Sequence, residues 1–363
     1  MLPASTPSQR PPDARLLVAD ARRRLRHVAR QDLARVLCPG DLLVANDAAT
    51  LPASLRGQHL RTGAEIEIRL AGRRSIAADA VSEFDALVFG AGDYRTRTED
   101  RPLPPRLSPG DELAIGPLRA TVRRLLGHPR LVALQIAGTP DAIRAGIARH
   151  GRPIQYAHVG KPLALWDVWT RVASVPVAFE PPSAGFLLDW TLVNELAARR
   201  IGFATLTHAA GISSTGDTQL DARLPFDEPY LLPQSTVDAI ERARANCGRV
   251  VALGTTVVRA LEHAASLGRP LRAGPGTATQ RIGPGTRLRV VDAIVTGTHE
   301  PGSSHYELLH AFASRAWLVR VSETLERNAY RTHEFGDSLL LERQPEMHAR
   351  TARAVSALSA QPA

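Results

Sequence analysis

The chain has 363 residues, enough for one large domain or two modest ones with a sizeable core. Hydrophobic residues make up 44% and charged residues 22%, the balance of an ordinary water-soluble protein, and aromatics at 5% leave too few rings for a base-stacking surface of the single-strand-binding kind. The net charge of +9 suits a polyanionic partner, yet Lys161 is the only lysine among 45 basic residues, so an arginine-rich composition accounts for the charge equally well.

Cys38 and Cys247 stand alone, without a CxxC pair or a disulfide framework, as in a reducing compartment. The opening MLPASTPSQRPPDAR lacks an apolar leader and no window approaches a membrane span. A cytoplasmic protein with no membrane partner, acting as a monomer, is the expectation.

From Arg15 the chain reads as a strand (LLVAD), a basic stretch with arginines at 22 to 24, a turn at Pro39-Gly40, and the apolar run GDLLVAND. Between 59 and 150 the texture changes. EIEIRL alternates with period two, and DALVFG, DELAIG, LRATVRRLL and RLVALQIAG follow as short strands between Pro- and Gly-bearing turns. This predicts a small antiparallel β domain inserted at 59–150. Residues 1–58 and 151–342 are expected to form the large α/β domain, a mostly parallel sheet with flanking helices. VPVAFE, FATLTHAAG, RVVALGTT, LRVVDAIVTG and HEFGDSLLL read as strands, and LLDWTLVNELAARR, TVDAIERARA, VVRALEHAAS and HYELLHAFASRA as helices. The segments Gly-Pro-Gly-Thr at 274–277 and 283–286 read as turns, and 343–363 as a flexible tail.

Ligands of open α/β sheets bind beyond the carboxyl ends of the strands. Unusual polar residues fall there in five loops: Asn46-Asp47, Ser183-Ala184-Gly185, Thr207-His208, Gly254-Thr255-Thr256 and Thr298-His299. In GTTVVRALE, Arg259 stands near a helix start, where the dipole disfavours a cation. Two readings weigh equally: a pair with Glu262, worth tenths of a kcal/mol, or a grip on a carboxylate or phosphate together with the free N–H groups of the helix start. In THEPGSSHYELLH the histidines 305 and 310 are five apart and do not share a helix face, which argues against a metal. His299, on the loop, is the better acid/base candidate. Asp292, within an apolar run, must find a partner if buried. No GxSxG elbow, P-loop or dinucleotide fingerprint is present.

Taken in order, ARLLVAD, PGDLLVAND, TGAEIEI, PPSAG, LTHAAG, GRVVALGTTVVRALE, VVDAIVTGTHEPGSS and YRTHEFGDS resemble the S-adenosylmethionine:tRNA ribosyltransferase-isomerase family of queuosine biosynthesis along nearly the whole chain. The resemblance implies a large α/β domain with an inserted β-barrel-like domain. It implies S-adenosylmethionine used as a ribosyl donor and no metal. The ribosyl unit passes to the aminomethyl-deazaguanine of a tRNA anticodon as an epoxycyclopentane, with release of adenine and methionine. It points to His208, His299 and Asp47 as acid/base candidates. Ser183, Ala184, Gly185, Gly254, Thr255, Thr256 and Arg259 would bind the donor. Pro301, Ser303 and Ser304 would form a loop at a helix start, with Asn46, Asp292, Gly336 and Asp337 in support. The chain departs from the family at Ala48-Ala49, Ser54, Phe186-Leu187, the GISSTGD loop and Glu300 to Ser304, where several family cations are missing. Two alternatives stay open on these departures: the same donor chemistry on a small-molecule acceptor, and a non-catalytic RNA-binding relic.

Overall fold

The computed structural model describes residues 1–268 and 270–345. At its centre four strands run parallel in the order Gly202–His208, Leu42–Asn46, Val250–Leu253, Ala293–Gly297. All of Leu42–Asn46 and Val250–Leu253 is buried, as a parallel strand covered on both faces requires. Antiparallel pairing extends the sheet on one side through Glu228–Leu232 and Gly274–Ala278. On the other side Ser338–Glu342 runs antiparallel to Ala293–Gly297, followed by Arg15–Ala19 and the edge strand Leu25–Ala29. The result is a nine-stranded mixed sheet with a parallel heart.

Helices cover both faces. Val237, Ile240, Val257, Val258, Leu261, Trp317, Leu318 and Val321 bring three helices onto one side. On the other side Leu33 and Ala34, with Leu192 and Leu196, pack against Leu43, Val251 and Val295. The helix Thr255–Ser266 has most of its residues buried, because it lies across the sheet rather than along its rim.

The second unit is a closed antiparallel barrel of six strands: Ser54–His59, Ala64–Gly72, Glu83–Gly90, Leu131–Ile136, Leu118–His128 and Glu112–Ile115. It closes where Gln58 and His59 pair with Ala114 and Leu113. The first of these strands starts ahead of residue 59, and Gly151–Arg152 adds beside it. The helix Pro140–His150, absent from the sequence reading, starts at Thr139, whose hydroxyl accepts from the Ala142 N–H. It sets Ile143 and Ile147 into the barrel core.

Three further differences have local causes. HYELLHAFASRA is not one helix: Ser304–Leu309 ends, and Ser314 caps a new helix, Arg315–Arg327, by accepting from the Trp317 N–H. The first Gly-Pro-Gly-Thr segment is an edge strand, not a turn; the Tyr230 hydroxyl lies 2.4 Å from where a Cβ on Gly276 would sit, so only glycine fits. Of the expected tail, 346–363 lies outside the described residues, whereas Arg343 bonds Asp292 and the Leu288 carbonyl, and Gln344 accepts from the Ser314 N–H.

The barrel holds a buried charge cluster. Glu67 accepts from Arg69 Nε at 2.8 Å, from Ser54 Oγ at 2.7 Å and from Arg101. Both guanidinium groups lie near the Phe89 ring, with Cζ 4.9 and 5.3 Å from its centroid. Removing Glu67 leaves two buried cations unpaired, so Glu67→Ala is expected to destabilise the protein by about 3–5 kcal/mol. A urea-unfolding midpoint equal to that of the wild type would contradict this role.

Candidate active site

The crevice lies at the carboxyl ends of the parallel strands. Its walls include Glu180, Ser183, Ala184, Ser213, Glu228, Gly254, Thr255, Thr256, Arg259, Thr296, His299, Ser304 and His305. Gly254 ends the strand Val250–Leu253 with φ +98, a conformation that glycine adopts at little cost. Its N–H donates to the Val295 carbonyl at 2.8 Å, and the helix Thr255–Ser266 begins at the next residue. The crevice therefore contains the positive end of a 12-residue helix with no side-chain cap.

Arg259 is buried and reaches the same wall, but its guanidinium is engaged by protein. It pairs with Glu228 through Nη1 and donates through Nη2 to the carbonyls of Phe226, Ala278 and Gln280 at 3.1, 2.8 and 3.3 Å. Nε alone of its nitrogens has no partner among the described residues. Glu262 does not pair with it; that carboxylate accepts the N–H groups of Arg289, Val290 and Val291. Burial pushes the Glu228 carboxyl up, opposed by Arg259 and by the Gly211 N–H, which donates to Oε1 at 2.6 Å.

The structure distributes the other expected residues widely. His208 is fully buried beneath Glu228 and off the crevice surface; Nε2 lies 3.5 Å from Glu228 Oε2, too far for a good hydrogen bond, and neither ring nitrogen has a hydrogen-bond partner among the described residues. Burial, then Arg259, holds its imidazole well below the usual range, so it is neutral at physiological pH. Asp47 also stands away from the walls, accepting from Thr205 Oγ1 at 2.9 Å and Thr207 Oγ1 at 2.6 Å. Asn46 ties the loops together: Oδ1 accepts from Ala48 and His208 N–H, and Nδ2 donates to the His208 carbonyl at 2.9 Å and to Thr256 Oγ1 at 3.3 Å.

Gly185 is buried behind Ala184, with no part in the wall. Ser303 caps the helix Ser304–Leu309, and Pro301 borders a separate groove with Tyr306 and Glu323. Asp292 is half-buried at the opposite end of the sheet, bonded to Arg343 and the Val250 N–H, and the strand begins only at Ala293. Asp337 accepts the Arg15 and Arg331 N–H groups, and the Gly336 carbonyl accepts from Arg30.

His299 does reach the crevice. Nε2 is 2.7 Å from Thr296 Oγ1, and the ring stacks on His305 at 4.9 Å and 14°. Burial, then His305 and His333, holds it well below the ordinary imidazole range. His305, weighed in sequence only as a metal ligand, lines the crevice and is likewise pushed down by burial.

The residue that sequence reasoning missed is Glu180. Its carboxylate lies in the crevice, accepts a hydrogen bond from the Tyr156 hydroxyl and faces Ser213. Burial pushes it up to about 7, with Ser213 and Tyr156 opposing. Burial and Glu180 together raise Tyr156 well above the usual phenol range. A signal was present: Glu180 is a carboxylate ending the apolar run VPVAF immediately before the PPSAG loop, the same placement that singled out Asn46 and Thr207.

The queuosine biosynthesis protein family model matches residues 1–341. An S-adenosylmethionine:tRNA ribosyltransferase-isomerase of Sorangium cellulosum is 32% identical over 369 residues, covering 94% of this chain and 96% of the relative. One from Synechococcus elongatus is 31% identical, covering 90% and 89%. A solved S-adenosylmethionine tRNA ribosyltransferase of Thermotoga maritima is 25% identical, covers 93% of this chain and 96% of its own, and superposes with a TM-score of 0.48.

Proposed function

The chain belongs to the queuosine biosynthesis protein family, and on that premise we propose that it transfers and isomerises the ribosyl moiety of S-adenosylmethionine onto the aminomethyl-deazaguanine of tRNA. The products are epoxyqueuosine in the tRNA, adenine and methionine. On this reading the protein works in the cytoplasm as a monomer, and S-adenosylmethionine is a consumed substrate.

The observation that supports the chemistry is the meeting of a buried carboxylate, neutral imidazoles and an uncapped helix start in one crevice. The sulfonium acidifies the adjoining ribose carbon, so the reaction needs a base there. Glu180 is that base in this account: it is near half-ionised at neutral pH, where a base combines availability with proton affinity. His299, neutral and hydrogen-bonded to Thr296, is the candidate hydrogen-bond partner that orients the adenine as it departs. The N–H groups of Thr255 and Thr256 at the helix start receive the methionine carboxylate of the donor. Arg259, His208, Asp47 and Asn46 act as positioning residues, through Glu228 and the loop network rather than by touching substrate.

The donor assignment is tested at Gly254. With φ +98, Gly254→Ala strains the turn that presents those N–H groups, and calorimetric S-adenosylmethionine affinity is expected to fall about tenfold or more, since a strained left-handed residue costs about 1–3 kcal/mol. Unchanged affinity in a folded variant would remove the helix start from the donor site.

A further inference from the structure

A cluster outside the roles assigned so far lies beside the crevice. His158 follows the barrel's return strand and is held between two rings, Tyr156 at 6.3 Å and His333 at 4.2 Å between centroids, inclined by 8° and 23°. Its Nε2 is 3.0 Å from Glu334 Oε2. The ligand atoms of His158, His333 and Glu334 all lie within 4.8 Å of one another.

The backbone of His333 distinguishes this from an ordinary histidine–carboxylate contact. The backbone at His333 is left-handed, with φ +68, which a non-glycine residue adopts at a cost of about 1–3 kcal/mol unless its surroundings require it. That turn, closed by the Gly336 N–H donating to the His333 carbonyl at 2.9 Å, puts the ligand atoms of two successive residues on one side.

We propose that His158, His333 and Glu334 bind one divalent transition-metal ion of the zinc class. Two imidazoles and one carboxylate form the three-ligand set that such ions take when they keep an open position. Metal–ligand bonds of about 2.0–2.2 Å require the ligand atoms to draw together by roughly an ångström. His333 is exposed, so its side chain has room for that movement. Bound there, the ion ties the 153–160 segment to the loop before Ser338–Glu342. Glu180 and Pro181 border both the crevice and the cavity lined by His158 and Glu334, so the ion would sit one residue layer from the proposed base. The ribosyl chemistry assigned above takes no step through it.

The test is a calorimetric titration of Zn2+ into the chelator-treated full-length protein, with Co2+ absorption as a spectroscopic second readout. One ion per chain is expected, with affinity lowered tenfold or more in His158→Ala and in His333→Asn, and a Co2+ spectrum altered in both. Asparagine tolerates the left-handed backbone, so His333→Asn keeps the fold if His158→Ala does not. His150→Ala, at an exposed histidine elsewhere, should leave binding unchanged. Absence of stoichiometric Zn2+ binding, or binding undiminished in His333→Asn, overturns the proposal.

Discussion

Glu180→Gln is expected to lower adenine release from S-adenosylmethionine by about a hundred- to ten-thousand-fold while leaving donor affinity within about twofold, the signature of a lost general base. Glutamine keeps the volume of glutamate and can still hydrogen-bond Tyr156 and Ser213, so the packing survives and only the proton acceptor is removed. The wild-type rate should rise with pH through about 7, where Glu180 loses its proton, and level off above it. Stability should move the opposite way. A carboxyl whose folded pKa is raised from 4.5 to about 7 favours the folded state fully only below the unfolded value, and that contribution is lost as pH rises through about 7. Glu180→Gln should therefore be more stable than the wild type at pH 8 and nearly equal to it at pH 4. A variant that retains the rate, or a rate profile flat from pH 6 to 8, would move the base elsewhere in the crevice.

The second large effect concerns the fold around the site. Arg259→Ala is expected to cost about 3–5 kcal/mol, because it leaves Glu228 as a buried unpaired carboxylate and deprives the buried Ala278 carbonyl and the partly buried carbonyls of Phe226 and Gln280 of their donor. Glu228→Gln in the same chain should recover part of that loss, since the amide needs no counter-charge and can still accept from Gly211. Denaturant unfolding of the two single variants and the double variant gives the coupling directly. If Arg259→Ala were as stable as the wild type but lost donor affinity, Arg259 would be an anion grip and not a positioning residue.

The difference between those outcomes shows what the sequence could convey. The strand-and-loop rhythm after residue 170 located the crevice, because apolar runs that end in polar residues are a local pattern. Gly254, Thr255, Thr256, Ser183 and His299 were found that way and do line one crevice. Whether a polar residue faces the crevice or lies beneath it depends on the neighbouring strand, which local pattern does not encode. His208 and Asn46 follow the same rule and are buried under the floor. Arg259 shows the limit most clearly: Glu262, three residues away, was the visible partner, while Glu228 sits on an antiparallel strand 31 residues upstream. The histidine cluster was hidden for the same reason. The spacing of 305 and 310 argues against a metal in that loop, and nothing local points to the other cluster, since His158 and Glu334 are 176 residues apart and meet only through the fold.

In the barrel, period-two alternation and turn residues were enough to read the strands. The helix Pro140–His150 was missed because GTPDAIRAGIARH carries few large apolar residues; its Thr139-Pro140 start is a capping signal that the strand reading overrode.

The most direct test is incubation of the purified protein with S-adenosylmethionine and tRNA bearing the aminomethyl-deazaguanine, followed by mass spectrometry of free adenine and of the digested nucleosides. Equal amounts of adenine and epoxyqueuosine nucleoside are expected, both lost in Glu180→Gln. Adenine released only with the free deazaguanine base would replace tRNA by a small acceptor, and salt-dependent tRNA binding with neither product would contradict the enzymatic reading altogether.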